Sequence, residues 1–312
     1  MDGGGAVKLR QWLMDTPAYW PDGSPTGAIP VTYGPSVLID NVAEYFYQAS
    51  PQEFWGRDDF PNVAPPWPEF WVEYRQPRWS NSGGKRVSLP LAGQPRCVRV
   101  VAQEVSADVD SLQTWGWFVG DEEGALEQVL GESKWALALQ AFAWDGRAAR
   151  FLGECINFVS PGGQLLGRGE GTGPMTVYPE GCFEIEGHSA LFGPLYLALS
   201  FVHCRNVGLS ERTAVSVPRR RKGPAARRRS PSWKYFTLDI RAMQRDLEEE
   251  GGVAANGLQK ALHICRGHFA HYGSEFGTGR LFGRLDGTFW VPQHLRGSPA
   301  AGVVVKDYRV SP

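Results

Sequence analysis

The sequence predicts an α+β protein, mostly antiparallel sheet with few helices, plus a small β-rich C-terminal module. Three observations carry this. The 312 residues include 38 Gly and 23 Pro, which favours many turns over long helices. Short apolar runs recur between turn signals, as in Lys134–Trp144 and Arg150–Val159 on either side of Asp145-Gly146. Helical periodicity is confined to a few stretches.

Taken in order, residues 1–35 are irregular, punctuated by Pro17, Pro21, Pro25, Pro30 and Pro35. Ser36 is placed as the cap of a helix over Val37–Gln48, with Val37, Ile39, Val42, Tyr45 and Phe46 on one face. The Pro- and aromatic-rich stretch Phe54–Pro68 reads as a packed loop leading into a strand, Phe70–Arg75. Strands follow at Arg96–Glu104, Leu112–Val119, Lys134–Trp144 and Arg150–Val159, with shorter ones at Met175–Tyr178 and Cys182–Ile185. In Lys134–Trp144 the residues Trp135, Leu137, Leu139 and Ala141 fall on one side. Leu191–Arg205 is apolar nearly all round, so a buried helix is expected. Trp233–Ile240 reads as a strand and Met243–Glu250 as a short helix. The C-terminal strands are Leu262–Gly267, Thr288–His294 and Gly302–Val310. The expected domains are an aromatic-rich part at 1–217, a basic linker or loop at 218–232, and a His/Arg module at 233–312.

Net charge is −1, but its distribution is uneven. Arg219, Arg220, Arg221, Lys222, Arg227, Arg228 and Arg229 carry +7 with no acid between them, leaving −8 elsewhere. Residues 261–312 have six Lys or Arg against three acids. A cationic arm of this kind neutralises phosphates and predicts salt-dependent nucleic-acid binding; the same run also suits a solvated loop. Five cysteines without a CxxC pair suggest free thiols in a reducing compartment. No apolar run approaches the ~20 residues of a membrane span, and Met1–Gly5 has no leader character. A cytoplasmic protein is expected, with no membrane partner.

Four of the six histidines, His263, His268, His271 and His294, lie in the last fifty residues. They sit in two echoing phrases, His263-Ile-Cys-Arg266-Gly267-His268-Phe-Ala-His271-Tyr272 and Trp290-Val-Pro-Gln-His294-Leu-Arg296-Gly297. Imidazole titrates near neutral pH, and arginine beside it suits phosphate. His268 and His294 are the candidate acid/base pair for a phosphodiester, with Arg266 and Arg296 stabilising phosphoryl charge. Lys306 and Tyr272 are candidate nucleic-acid contacts, as is the arm at 219–229; anion binding without chemistry fits the same residues. The run His263-x-Cys265-x2-His268-x2-His271 does not match the usual zinc spacings, so no metal is expected, and no cofactor. Gly167-x-Gly169-x-Gly171-x-Gly173 is followed by Pro174, which suits a hairpin loop and not a nucleotide loop. No GxxxxGK[ST] occurs, so nothing argues for ATP. Asp121 with Glu132-Ser-Lys134 is a faint echo of a metal-dependent nuclease core.

From Ser200 onward the chain resembles uncharacterised proteins of phages, prophages and actinobacterial mobile elements. Phe201-Val-His-Cys-Arg-Asn-Val207, the Pro-flanked Arg run and Ala261-Leu-His-Ile-Cys-Arg-Gly-His-Phe269 carry this. Leu281-Phe-Gly-Arg284, Phe289-Trp290, His294-Leu-Arg-Gly297 and Gly302-Val-Val-Val-Lys-Asp-Tyr308 continue it. The resemblance implies a mobile-element setting and brings no catalytic role with it. The sequence therefore points to a protein acting on RNA or DNA, either a metal-independent, ribonuclease-like or toxin-like enzyme or a non-enzymatic nucleic-acid-binding regulator. A third expectation is a virion or protein-interaction factor that docks a protein through the N-terminal aromatic surface.

Overall fold

The computed structural model describes residues 9, 13, 18–19, 34–48, 60–82, 85–105, 123–144, 148–167, 176–177, 188–215, 232–240, 261–265, 267–275, 279–281, 285–291, 294–296 and 298–303; for 48, 77–82, 85–94, 123–127, 176–177, 188–190, 214–215, 232–233, 240, 261–265, 294–296 and 298–303 the description is of the backbone. The chain is a mixed α+β protein, mostly antiparallel, with few helices. It divides into two compact units, residues 1–203 with 209–239, and residues 204–208 with 240–312.

The first unit is built on an eight-stranded sheet. Its elements are β1 (Ser36–Leu38), α1 (Asp40–Gln48), β2 (Glu69–Ser82), β3 (Lys85–Glu104), α2 (Glu123–Glu132), β4 (Trp135–Trp144), β5 (Ala149–Val159), β6 (Thr176–Val177), α3 (His188–Val202), β7 (Val207–Val215) and β8 (Ser232–Ile240). The strand order is β6-β5-β4-β3-β2-β1-β8-β7. Strands β2 to β6 form an antiparallel meander. β1 runs parallel to both β2 and β8. β8, which follows the basic segment at 218–232, pairs with β1 and belongs to this sheet. Residues 219–229, Leu112–Val119, Asp145-Gly146, Cys182–Ile185 and Met243–Glu250 lie outside the described residues.

Ser36 does not cap a helix. It lies in β1 opposite Trp71, and Ile39 donates its N–H to the Glu73 carbonyl (2.9 Å). The short apolar run Ser36–Leu38 can satisfy its backbone groups on both sides within the sheet, so strand wins over helix there. The helix starts at Asp40, with Ala43 N–H donating to the Ile39 carbonyl (2.9 Å). The Asp40 carboxylate accepts from Arg75 N–H (2.8 Å) and from both Nε (3.1 Å) and Nη2 (2.8 Å) of Arg75. An anion in the first helical turn also complements the helix dipole.

β4 explains the layering. Ala136, Leu137, Ala138 and Leu139 are all buried, as are Ala141, Phe142 and Ala143, so both faces of this strand are covered. On one face α3 packs, with the Tyr196 hydroxyl donating to Asn157 Oδ1 and the Tyr74 hydroxyl to the Leu191 carbonyl. On the other face Val129 and Leu130 of α2 cluster with Ala136, Ile156, Phe158 and Leu166. Leu9, Leu13 and Ala18 cluster there with Trp71, Cys97, Phe142 and Phe151. The β4–β5 ladder steps from Ala141↔Gly153 to Phe142↔Phe151, leaving Leu152 as an extra residue. Gly153, at φ 143°, supplies the backbone that this bulge needs.

The second unit contains β9 (Ala261–Cys265), β10 (His268–Tyr272), β11 (Gly287–Val291), β12 (His294–Arg296) and β13 (Ser298–Val303). β10 pairs with β11, and β9 lies between β12 and β13.

Candidate functional site

The two histidine phrases fold back on one another. Phe289 and Trp290 of β11 are buried, and Trp290 meets Phe269 of β10 edge-on with centroids 4.9 Å apart. Tyr272 meets Phe289 diagonally at 5.7 Å. These cross-strand aromatic pairs fix the register. β9 and β12 then pair antiparallel as Cys265↔His294, Ile264↔Leu295 and His263↔Arg296. β10 and β11 pair from His268↔Val291 to Tyr272↔Gly287. Nine steps separate His263 from Tyr272 on one side, and nine separate Arg296 from Gly287 on the other, so both ladders keep one register.

This register sorts the candidates. Directly opposed residues and residues two apart share a face. Positions 263, 265, 294 and 296 therefore lie together on one face of the β9–β12 pair. Position 268 falls three steps beyond 265, opposite Val291 on the other two-stranded ladder. His268 and His294 thus lie in two successive ladders, opposite Val291 and Cys265 respectively. His268 and His271 are both exposed, and their three-residue separation in β10 puts them on opposite faces. His271 Nδ1 lies 2.9 Å from the hydroxyl of its cross-strand partner Thr288. Tyr272 is half-buried beside Phe289, Arg296 sits in β12, and Arg266 and Lys306 lie outside the described residues.

Two residues that the sequence did not single out as site residues hold this hairpin. The buried Asn206 donates through Nδ2 to the Trp290 carbonyl (2.7 Å), and its Oδ1 accepts from Trp290 N–H (2.9 Å). A side-chain amide here does what a neighbouring strand's peptide group would do. Arg205 donates its N–H to the Thr288 carbonyl (2.9 Å) and is itself exposed. Gly287, at φ +122°, lies under the Arg205 side chain, where a Cβ would come within 3.1 Å of Nε.

The first unit holds a polar row that the apolar strand pattern concealed. Arg99, only 9% exposed, donates through Nε to Glu69 Oε1 (2.8 Å) and through Nη1 to Gln140 Oε1 (3.0 Å). Gln140 is opposite Glu154 on β5, whose carboxyl is pushed up by burial against a hydrogen bond from Gln140 and the charge of Arg99. The signal was a polar residue within an otherwise apolar strand, Arg99 between Val98 and Val100 and Gln140 between Leu139 and Ala141. This row is internally satisfied and reads as a structural network. Trp71 is fully buried, and Trp67 stacks obliquely on Phe236 at 5.6 Å, so these two do not form an open aromatic surface.

Among residues whose side chains are described, no three His, Cys, Asp or Glu converge as a metal site. Among the described residues, no helix is long and apolar enough to cross a membrane. Comparison with protein-family models, with curated proteins and with solved structures finds no match to this chain.

Proposed function

We propose that this protein binds nucleic acid through its C-terminal hairpin. The observation that carries the reading is the shared register of the two His/Arg phrases, which gathers His263, His294 and Arg296 on one face and leaves His268 and His271 exposed along the same hairpin. Imidazole and guanidinium groups spaced along a strand pair can follow a phosphate backbone. The local excess of six cations over three acids in 261–312 and the arm at Arg219–Arg229 add the long-range attraction. The mobile-element resemblance suits a nucleic-acid partner.

Binding is preferred to metal-independent cleavage for a geometric reason. An acid and a base acting on one phosphorus must reach it together. His268 and His294 lie in separate ladders, opposite Val291 and Cys265 respectively. Labelled RNA and DNA incubated with the full chain, with EDTA and without, separate the two readings. Retention of uncut ligand that weakens with salt supports binding. EDTA-resistant cleavage abolished in the His268→Ala, His294→Ala double variant replaces it with the enzyme, and no retention of either nucleic acid rejects both.

A further inference from the structure

We propose that Arg205 and Tyr272 form a platform for an unpaired nucleic-acid strand, the guanidinium taking a phosphate and the phenol ring taking a base. The proposal rests on the nucleic-acid reading of the same hairpin and narrows it to single strands. Arg205 occupies the first corner of the turn Cys204–Val207, closed by Val207 N–H donating to the Cys204 carbonyl (3.1 Å). Its own N–H donates to the Thr288 carbonyl (2.9 Å), and the next residue, Asn206, is bonded twice to the backbone of Trp290. The backbone that carries this exposed side chain is therefore fixed on both sides. A Cβ on Gly287 would lie 3.1 Å from Nε and 3.2 Å from Cγ of Arg205. The arginine thus runs across the place where a side chain of β11 would stand, and the glycine is its seat.

The register brings an aromatic ring to that seat. Tyr272 is directly opposite Gly287, so the two positions share one face of the β10–β11 ladder. The Tyr272 ring is half-buried and rests edge-on against the buried Phe289, at an interplanar angle of 81°. A ring held this way is already ordered before a base stacks on it. The arginine is also available. Among the described residues, Arg75, Arg99, Arg212 and Arg280 each pair with a carboxylate, Arg96 bonds Gln76, and Arg150 lies over the Tyr19 ring. The Arg205 guanidinium has no such partner among them. Asp286, next to Gly287 in the chain, is held by Arg280 at 3.1 Å. A planar guanidinium with its donors open suits a phosphate. An unpaired base offers its face to a ring, whereas a base inside a duplex is already stacked on both sides.

The test measures binding of the full chain to labelled oligothymidylate, oligouridylate and a duplex of equal length over a range of salt. The wild type should prefer the single strands. Arg205→Gln keeps the N–H bond to Thr288 and should lower the salt slope on single strands by about 0.7, the value of one phosphate contact. Arg205→Lys should restore that slope. Tyr272→Leu should weaken single-strand binding roughly 5- to 100-fold and leave the slope unchanged. If Tyr272→Leu does not fold, photocrosslinking of the wild-type chain to an iodouridine-substituted oligonucleotide replaces it, with the crosslink expected on the peptide that contains Tyr272. Single-strand binding that Arg205→Gln leaves unchanged in affinity and slope, a crosslink that maps elsewhere, or equal affinity for the duplex would overturn the platform while leaving the nucleic-acid reading standing. Absence of binding to all three ligands would overturn both.

Discussion

At the scale of single residues, Asn206 carries the sharpest expectation. Its amide makes two hydrogen bonds to the backbone of the buried Trp290. Leaving buried donors and acceptors unsatisfied costs roughly 1–3 kcal/mol. Asn206→Ala should therefore lower the stability of the C-terminal unit by that amount, read from Trp290 amide hydrogen exchange. Asn206→Asp is the more severe change, since a carboxylate still accepts from Trp290 N–H but faces the Trp290 carbonyl without a proton to donate. Equal protection in wild type and both variants would remove Asn206 from the account. Asn206 was visible in the sequence only as part of Cys-Arg-Asn-Val; nothing in its spacing announces a side chain that replaces a strand.

Tyr47 gives a pH prediction at the same scale. Burial pushes its hydroxyl up to about 12, against a hydrogen bond with Tyr74 and the charge of Arg96. An unfolded tyrosine ionises near 10, so the folded state holds its proton more tightly. The resulting stability is fully present below pH ~10 and is lost as pH rises from there to about 12. Between pH 9 and pH 11 the loss from this group is on the order of 1 kcal/mol. Tyr47→Phe should start from a lower baseline, having lost a hydroxyl, but show a shallower alkaline decline in urea titrations. Parallel declines in the two proteins would show that other groups set the alkaline limit.

Among elements, the contact of α1 with α3 is the tightest to test. Gly193 faces Phe46, and a Cβ on it would lie 2.1 Å from Phe46 Cζ. Pro194 follows within the same helix, so the backbone there already lacks one helical hydrogen bond. Gly193→Ala should cost about 1–3 kcal/mol by overpacking. Adding Phe46→Leu should recover part of it, and a double-mutant cycle with no coupling would refute the contact.

The elements also show what could be read beforehand. β4, β5, β8 and α3 were legible because each is a run of apolar residues bounded by turn chemistry, and local periodicity suffices for such runs. The start of α1 was not, since Val37 and Ile39 fit a helical face as well as a strand. Pairing with Val72 and Phe236, far off in sequence, decides for strand at Val37. The bulge at Leu152 was equally hidden, because only a partner strand reveals an extra residue. In the candidate site the residue types were legible and their grouping was not. Two echoing phrases suggested one surface, whereas the register separates position 268 from the 263–265–294–296 set.

For the whole molecule, the uneven charge is the property to test. A chain of net −1 has little overall attraction for a polyanion, so affinity must come from where its cations lie. If 261–312 and the arm at 219–229 engage phosphates, each phosphate contact releases condensed counterions. The logarithm of the binding constant should then fall linearly with the logarithm of salt, with a slope of about −0.9 per contact on duplex DNA and about −0.7 on single strands. Replacing Arg219, Arg220, Arg221, Lys222, Arg227, Arg228 and Arg229 by serine should reduce that slope and weaken all sequences alike. Replacing Arg296 and exposed His268 should lower affinity with a smaller change in slope, since they contribute fewer charges. Fluorescence anisotropy with duplex and single-stranded ligands at four salt concentrations measures both effects. A slope near zero in the wild-type chain, or one untouched by removing the arm, would mean that the cations serve the protein's own solvation and that any nucleic-acid contact is made elsewhere.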